Sequence, residues 1–222
     1  MNNTKYPRTN HFGFSNSKTP DDKTTNDYSV FEKEEVVIGE KLDGQNSGWN
    51  KYNVFARSHA TPSELPWDKP IIEIHNRIKN RIGNDEFVFG ESMVGIHSIE
   101  YKKLESYYYI FGVRVKDEWL SWDDVEDYAY CLDLPTVPIL FKGKINDIKT
   151  KVLNLMDKPS TFDGYDTITG EETMEGVVVR SRNSFNDNNF NDNVIKMVRE
   201  GHVKTDEHWT RNWKKAELIW HQ

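Results

Sequence analysis

Four short apolar runs in this sequence each hold a charged residue where a buried strand would not ordinarily carry one. They are Glu35-Val36-Val37-Ile38-Gly39-Glu40 with Lys41 at its end, Phe87-Val88-Phe89-Gly90-Glu91, Glu175-Gly176-Val177-Val178-Val179-Arg180 and Val194-Ile195-Lys196-Met197-Val198. Runs of this length and composition read as strands. A charge set among β-branched residues is costly unless it meets a partner. Taken singly, each charge reads as an edge-strand residue in water. Taken together, two lysines (Lys41, Lys196) and two carboxylates (Glu91, Glu175), each tied to a strand, suit a polyphosphate and a divalent metal. Carboxylates hold Mg²⁺, and lysines neutralise phosphoryl oxygens.

The remaining pattern fills in the architecture. Val54-Phe55-Ala56-Arg57 reads as the hairpin partner of the first run, and Tyr107 through Val115 as another strand. Ile71, Ile74, Ile78 and Ile82 recur at steps of three and four, which predicts a helix stopped by Gly83. Ser121 caps a second helix, with Asp124 in the capping-box position and Val125, Tyr128, Ala129 and Leu132 inward. Ile145, Ile148, Val152 and Leu155 predict a third, ended by Lys158-Pro159. Residues 160–174 read as a polar loop and 183–193 as an Asn/Asp-rich hairpin tip. The expected class is α+β: antiparallel sheets flanked by a few helices. Composition leaves residues 1–30 open between a floppy tail and an ordered segment, because Tyr6, His11, Phe12 and Phe14 are unusual in a linker.

With 222 residues there is room for one sizeable core, and the 13% aromatic share is too high for a disordered chain. A formal charge of −7 argues against a bulk nucleic-acid coat but not against a local basic patch. The single cysteine, Cys131, excludes an intramolecular disulfide framework and points to a reducing compartment. No apolar run approaches the roughly 18–20 residues of a membrane span, and the N-terminus does not read as a signal peptide. The expectation is a soluble, cytoplasmic, single-domain protein without a membrane partner.

Lys41-Leu42-Asp43-Gly44 combines a lysine at the end of a buried strand with a tight turn. Burial and nearby cations depress a lysine pKa and free the amine as a nucleophile; by itself the pattern equally fits a solvated lysine before a turn. The set as a whole resembles the covalent nucleotidyltransferases, which comprise polynucleotide ligases and RNA capping enzymes. Their ordered motifs match Lys41-Leu42-Asp43-Gly44, Arg57 within Phe55-Ala56-Arg57-Ser58-His59, Phe89-Gly90-Glu91, Phe111 within Tyr109-Ile110-Phe111, Glu175-Gly176-Val177-Val178-Val179-Arg180 and Lys196. Together they span residues 35 to 200. Lys5-Tyr6-Pro7-Arg8-Thr9-Asn10-His11 and the stretch Val198 to Trp209 resemble the opening and closing segments of small stand-alone RNA ligases.

The resemblance implies a ligase adenylation fold with no appended OB domain, in which residues 1–30 and 200–222 pack on one core. It implies an ATP- and Mg²⁺- (or Mn²⁺-) dependent enzyme that joins RNA 5′-phosphate and 3′-hydroxyl ends, as in RNA repair, through lysyl–AMP on Lys41 and adenylylated RNA. Lys196 is implied at the α-phosphate, Glu175 at the metal, and Glu91 at the ribose or the metal. Phe111 is implied under adenine, Glu40 in reading adenine, and Arg57 at phosphate or the RNA end. Many ligases carry two lysines one residue apart in the last motif. Here Val198 fills the second position. Arg199 lies on the opposite face of such a strand, and Lys204 would have to fold back.

For RNA, Arg8, His11, Arg57, Arg199 and Lys204 are candidate contacts. Trp209 and Trp213 among basic residues suit either base stacking or a tail packed on the core. His202 and His208 lack zinc spacing. Rival readings are a capping-type guanylyltransferase or DNA ligase, and a nucleotide- or RNA-binding module that has lost turnover.

Overall fold

A computed structural model describes residues 5–17, 22–57, 61–200 and 213–221. In chain order the elements begin with β1 (Asn10–Phe12), β2 (Thr24–Thr25), α1 (Ser29–Lys33), β3 (Val36–Lys41), β4 (Gln45–Trp49) and β5 (Val54–Ala56). Then come α2 (Lys69–Ile78), β6 (Glu86–Ser92), β7 (Ile99–Tyr101), β8 (Tyr108–Val115), β9 (Glu118–Trp119) and α3 (Trp122–Leu132). The chain continues through β10 (Ile139–Gly143), α4 (Ile148–Met156), β11 (Gly164–Asp166), β12 (Gly176–Ser181), β13 (Phe185–Asn186), α5 (Phe190–Asn193) and β14 (Val194–Val198).

Two six-stranded sheets, in the orders β10-β3-β12-β14-β1-β2 and β13-β9-β8-β6-β4-β5, carry the molecule, with β11 and β7 as a small separate pair. This is the mixed α+β arrangement expected, with one correction. The sheets are not wholly antiparallel, because β1 runs parallel to both β14 and β2. The N-terminal segment is thereby built into the first sheet, where Phe12 is fully buried.

Side-chain alternation divides the first sheet into two faces. Ile38, Val177, Val179 and Ile195 enter a core with Ile148, Val152 and Leu155 of α4. On the second sheet, Val88 and Val113 pack with Ile71 and Ile78 of α2 and with Val125, Ala129 and Leu132 of α3. Between the sheets lies an aromatic cluster of Phe55, Phe87, Phe89, Trp119, Phe185 and Phe190, joined by Val178 and Val194 from the first sheet.

The helices follow the apolar spacing, with adjusted ends. Ser121 caps α3, its Oγ accepting the Asp124 amide at 3.2 Å. The third helix begins at Ile148 rather than Ile145, because Asp147 supplies the cap through the Thr150 amide. Residues 79–81 tighten into a 3-10 turn after α2, and the Gly83 amide donates to Glu86.

Three strand assignments change. Val54–Ala56 pairs with Gln45–Trp49, not with the Lys41 strand, since the Leu42–Gly44 turn carries the chain from the first sheet to the second. Within residues 160–174, Gly164–Asp166 is a strand paired with β7. The 183–193 tip is an ordered β13–α5 excursion whose Phe185 pairs with Trp119. No helix among the described residues is long and apolar enough to cross a membrane.

Candidate active site

The central strands of the first sheet set three rows of side chains on one face. Lys41 and Val198 flank Gly176; Gly39 and Lys196 flank Val178; Val37 and Val194 flank Arg180. Successive rows are two residues apart, about 7 Å. Lys41, Lys196 and Arg180 therefore rise in order from one surface. Gly176 is required for this pairing: a Cβ there would meet the Met197 carbonyl oxygen at 2.1 Å.

The second sheet supplies the facing wall of a cavity of about 970 Å³, which Lys41, Arg57, Glu91, Phe111, Glu175 and Lys196 all line. Glu91 lies on β6 opposite Asn46 of β4, and Gly44 lets the two strands close up. A Cβ on Gly44 would meet the Ser92 carbonyl at 2.5 Å and the Met93 sulfur at 2.7 Å. Phe111 enters the wall through a β-bulge. Phe89 pairs with Gly112 and Gly90 with Ile110, so Phe111 is the extra residue.

Lys41 Nζ donates to Glu175 Oε2 at 2.7 Å, in the centre of this space. Burial alone would lower the lysine pKa, but the negative charges of Glu175 and then Glu91 outweigh it, and Lys41 is held above its usual range. This corrects the expected depression of the lysine. Burial raises the Glu175 carboxyl to about 8, with the charge on Lys41 pulling it down. Burial pushes the Glu91 carboxyl up to about 7, with Lys41 pulling it down and Asp43 raising it. Lys196 is depressed to about 8, chiefly by burial and then by the charge on Lys41. The protein thus concentrates two carboxyls and two amines whose charges depend on one another.

Asp43 secures the turn that carries Lys41. Its Oδ2 accepts from the Ser98 amide at 2.8 Å, the Ser98 hydroxyl at 2.7 Å and the Ile99 amide at 2.9 Å. Its own amide donates to the Tyr101 hydroxyl at 2.8 Å. The sequence signals only a turn at Asp43-Gly44; the partners are more than fifty residues away.

The other candidate residues fall into place as follows. Glu40 borders the cavity, but its carboxylate accepts from Ser160 Oγ at 2.5 Å and the Thr161 amide at 2.9 Å. His11 is buried beside Lys196 in register and 3.6 Å from Asp22. Arg8 is exposed, pairs with Asp22 at 3.4 Å and lies outside the cavity wall. Arg199 lines the cavity and donates to Asp166 at 3.2 Å. Val198, in place of a second lysine, is buried. Lys204, His202, His208 and Trp209 lie outside the described residues. Trp213 packs edge-on to Trp67 at 6.2 Å, and Ala216 is buried.

Tyr6 and Arg180 are wall residues that carried no assigned role in the sequence. Tyr6 meets Phe111 edge-on at 5.1 Å and also packs on Phe89, Trp119 and Phe190. Among the described residues no three His, Cys, Asp or Glu side chains converge as a metal cage. Glu91 and Glu175 instead offer two carboxyls to the cavity. That donor set fits Mg²⁺ or Mn²⁺ sharing its coordination with phosphate oxygens and water.

The family model for RNA ligase matches residues 34–198, most of the chain, and the chain belongs to the RNA ligase family. No curated protein matches the sequence. Among solved structures, Naegleria gruberi RNA ligase with PPi is similar at 18% identity and a TM-score of 0.50, covering 87% of this chain and 60% of that one. A mutant of the same enzyme with ATP and Mn is similar at 17% identity and a TM-score of 0.50, covering 91% of this chain and 64% of that one. At these identities the likeness is one of fold. The chain spans about three fifths of the length of these structures.

Proposed function

We propose that this protein is an ATP-dependent RNA ligase built on the nucleotidyltransferase fold, with Lys41 as its nucleophile. The observation that carries the reading is the Lys41–Glu175 pair at 2.7 Å, set beside Lys196 and across from Glu91 in one cavity. Deprotonated Lys41 Nζ attacks the α-phosphorus of ATP. A P–N bond forms, the bond to the bridging oxygen breaks, and pyrophosphate leaves. A 5′-phosphate oxygen of RNA then attacks the same phosphorus, the P–N bond breaks, and AMP passes to the RNA. A 3′-hydroxyl attacks the activated 5′-phosphorus and AMP departs.

The residues divide this work by chemistry. An anionic phosphate resists a nucleophile until its charge is neutralised. Lys196, one row from Lys41, meets that need at the α-phosphate, and Arg57 does so at phosphate or the RNA end. Glu175 and Glu91 would hold the Mg²⁺ or Mn²⁺, which when bound supplies charge neutralisation at phosphoryl oxygens. Phe111 offers a ring to adenine. The complexes of the Naegleria enzyme with ATP and Mn support the choice of nucleotide and metal.

The test is sealing. Wild-type protein incubated with ATP, Mg²⁺ and nicked or single-stranded 5′-phosphorylated RNA is expected to yield a joined strand. Matched DNA ends and GTP are the controls. RNA binding without any joined product would support the non-sealing module instead.

A further inference from the structure

The proposed chemistry gives no role to the buried cation Arg180. Arg180 is only 6% exposed and lines the cavity on the same sheet face as Lys41 and Lys196. Its Nε donates to the Ser181 carbonyl at 3.1 Å and its Nη2 to the Leu120 carbonyl at 2.6 Å. Its guanidinium lies 5.6 Å from the Trp122 ring and 5.4 Å from the Phe185 ring. No carboxylate pairs with it among the described residues, and Nη1 has no partner among them. By contrast, Arg114, equally buried, reaches Asp187. Burial pulls the Arg180 pKa down to about 10, so it remains a cation at neutral pH.

A structural role explains part of this arrangement. Two carbonyls and two rings fix the guanidinium plane and tie β12 to the segment before α3. They do not neutralise its charge. A buried cation without a counter-ion is costly, and a guanidinium presents paired donors suited to phosphate oxygens. The cost is recovered when an anion enters the cavity.

Stereochemistry says which anion. Displacement at phosphorus is in line, so pyrophosphate leaves from the side opposite Lys41. In the next step Lys41 is itself the leaving group, so the attacking 5′-phosphate enters from that same side. The sheet rows run Lys41, Lys196, Arg180. With the α-phosphorus held at Lys196, the side opposite Lys41 faces Arg180.

We propose that Arg180 binds the phosphate group opposite Lys41: pyrophosphate as it leaves, and then the RNA 5′-phosphate as it enters. This rests on the adenylylation reading above. Arg180 is then the residue that holds the incoming RNA end in line. The exposed Arg8, already paired with Asp22, does not line this space.

The test uses the full chain and inorganic pyrophosphate with Mg²⁺. Calorimetric titration of wild type, Arg180→Lys and Arg180→Gln is expected to give about tenfold weaker binding for the glutamine variant, with the lysine variant between. The pyrophosphate concentration needed to discharge labelled protein back to ATP should rise in the same order. A folded Arg180→Gln or Arg180→Lys protein that binds pyrophosphate as wild type does would overturn the proposal. If the glutamine variant does not fold, a crystal of wild type soaked with pyrophosphate decides: phosphate oxygens on Arg180 Nη1 support the site, and phosphate bound elsewhere overturns it. A wild type that binds pyrophosphate through Arg180 yet never takes label from ATP would defeat the adenylylation reading and leave the anion site standing.

Discussion

Lys41 Nζ sits 2.7 Å from Oε2 of a Glu175 carboxyl that is 5% exposed, and the charges of Glu175 and Glu91 hold the amine above its usual pKa range. Attack on phosphorus needs the free amine. Glu175→Gln removes the charge that contributes most to raising the Lys41 pKa. Two effects are expected: adenylylation slows about 100-fold through loss of the carboxylate proposed to hold the metal, and the midpoint of its pH–rate profile moves to lower pH. Single-turnover label transfer across pH 6–10 (roughly the span of the groups concerned) measures both. An unmoved midpoint would count against Glu175 as the group that holds the proton on Lys41.

Lys196 tests the cost of a cation placed for a ligand. Its pKa is depressed to about 8 in the folded protein, mainly by burial. The fold therefore bears a penalty that is full below pH 8, where Lys196 is protonated both folded and unfolded. The penalty fades as pH rises from 8 towards the unfolded value. Lys196→Met is expected to melt about 2–4 °C higher than wild type at pH 7, equivalent to roughly 1 kcal/mol, and the gain should vanish at high pH. The same variant should lose adenylylation. A variant that melts lower at pH 7 would contradict the assigned cost.

Asp43→Ala removes three hydrogen bonds to residues 98 and 99 and leaves buried donors without an acceptor. A loss of about 2 kcal/mol is expected, read as a fall of about 4–8 °C in melting temperature. Adenylylation should fall with it even in the cold, because the Lys41 turn is no longer held. Full activity at low temperature would separate Asp43 from the positioning of Lys41.

Phe111→Leu keeps an apolar side chain and removes the ring. Base stacking is worth about 1–3 kcal/mol. The KM for ATP is expected to rise about tenfold, with the loss falling on KM more than on kcat. An unchanged KM would take Phe111 away from the nucleotide.

The motif residues were legible because each sits on a strand whose apolar neighbours are unmistakable. Alternation alone puts Lys41 and Lys196 on the face away from Ile38, Val177, Val179 and Ile195. The Gln45–Trp49 strand was not legible: it is polar or glycine up to Trp49, and backbone pairing on both sides holds it. The bulge at Phe111 depends on the register of two strands, and the anchoring of Asp43 on a loop more than fifty residues on. Arg180 closes one of the matched motifs, but nothing in the sequence gives it a role. Only the register beside Val37 and Val194 turns it into the cavity.

The central claim is that Lys41 takes AMP from ATP. Intact-mass spectrometry of the protein after incubation with ATP and Mg²⁺, followed by peptide mapping, tests it most directly. One AMP on the peptide containing Lys41, discharged by pyrophosphate and absent from Lys41→Ala, is the predicted result. An adduct that persists in Lys41→Ala, or a wild type that seals RNA without ever carrying AMP, would contradict it.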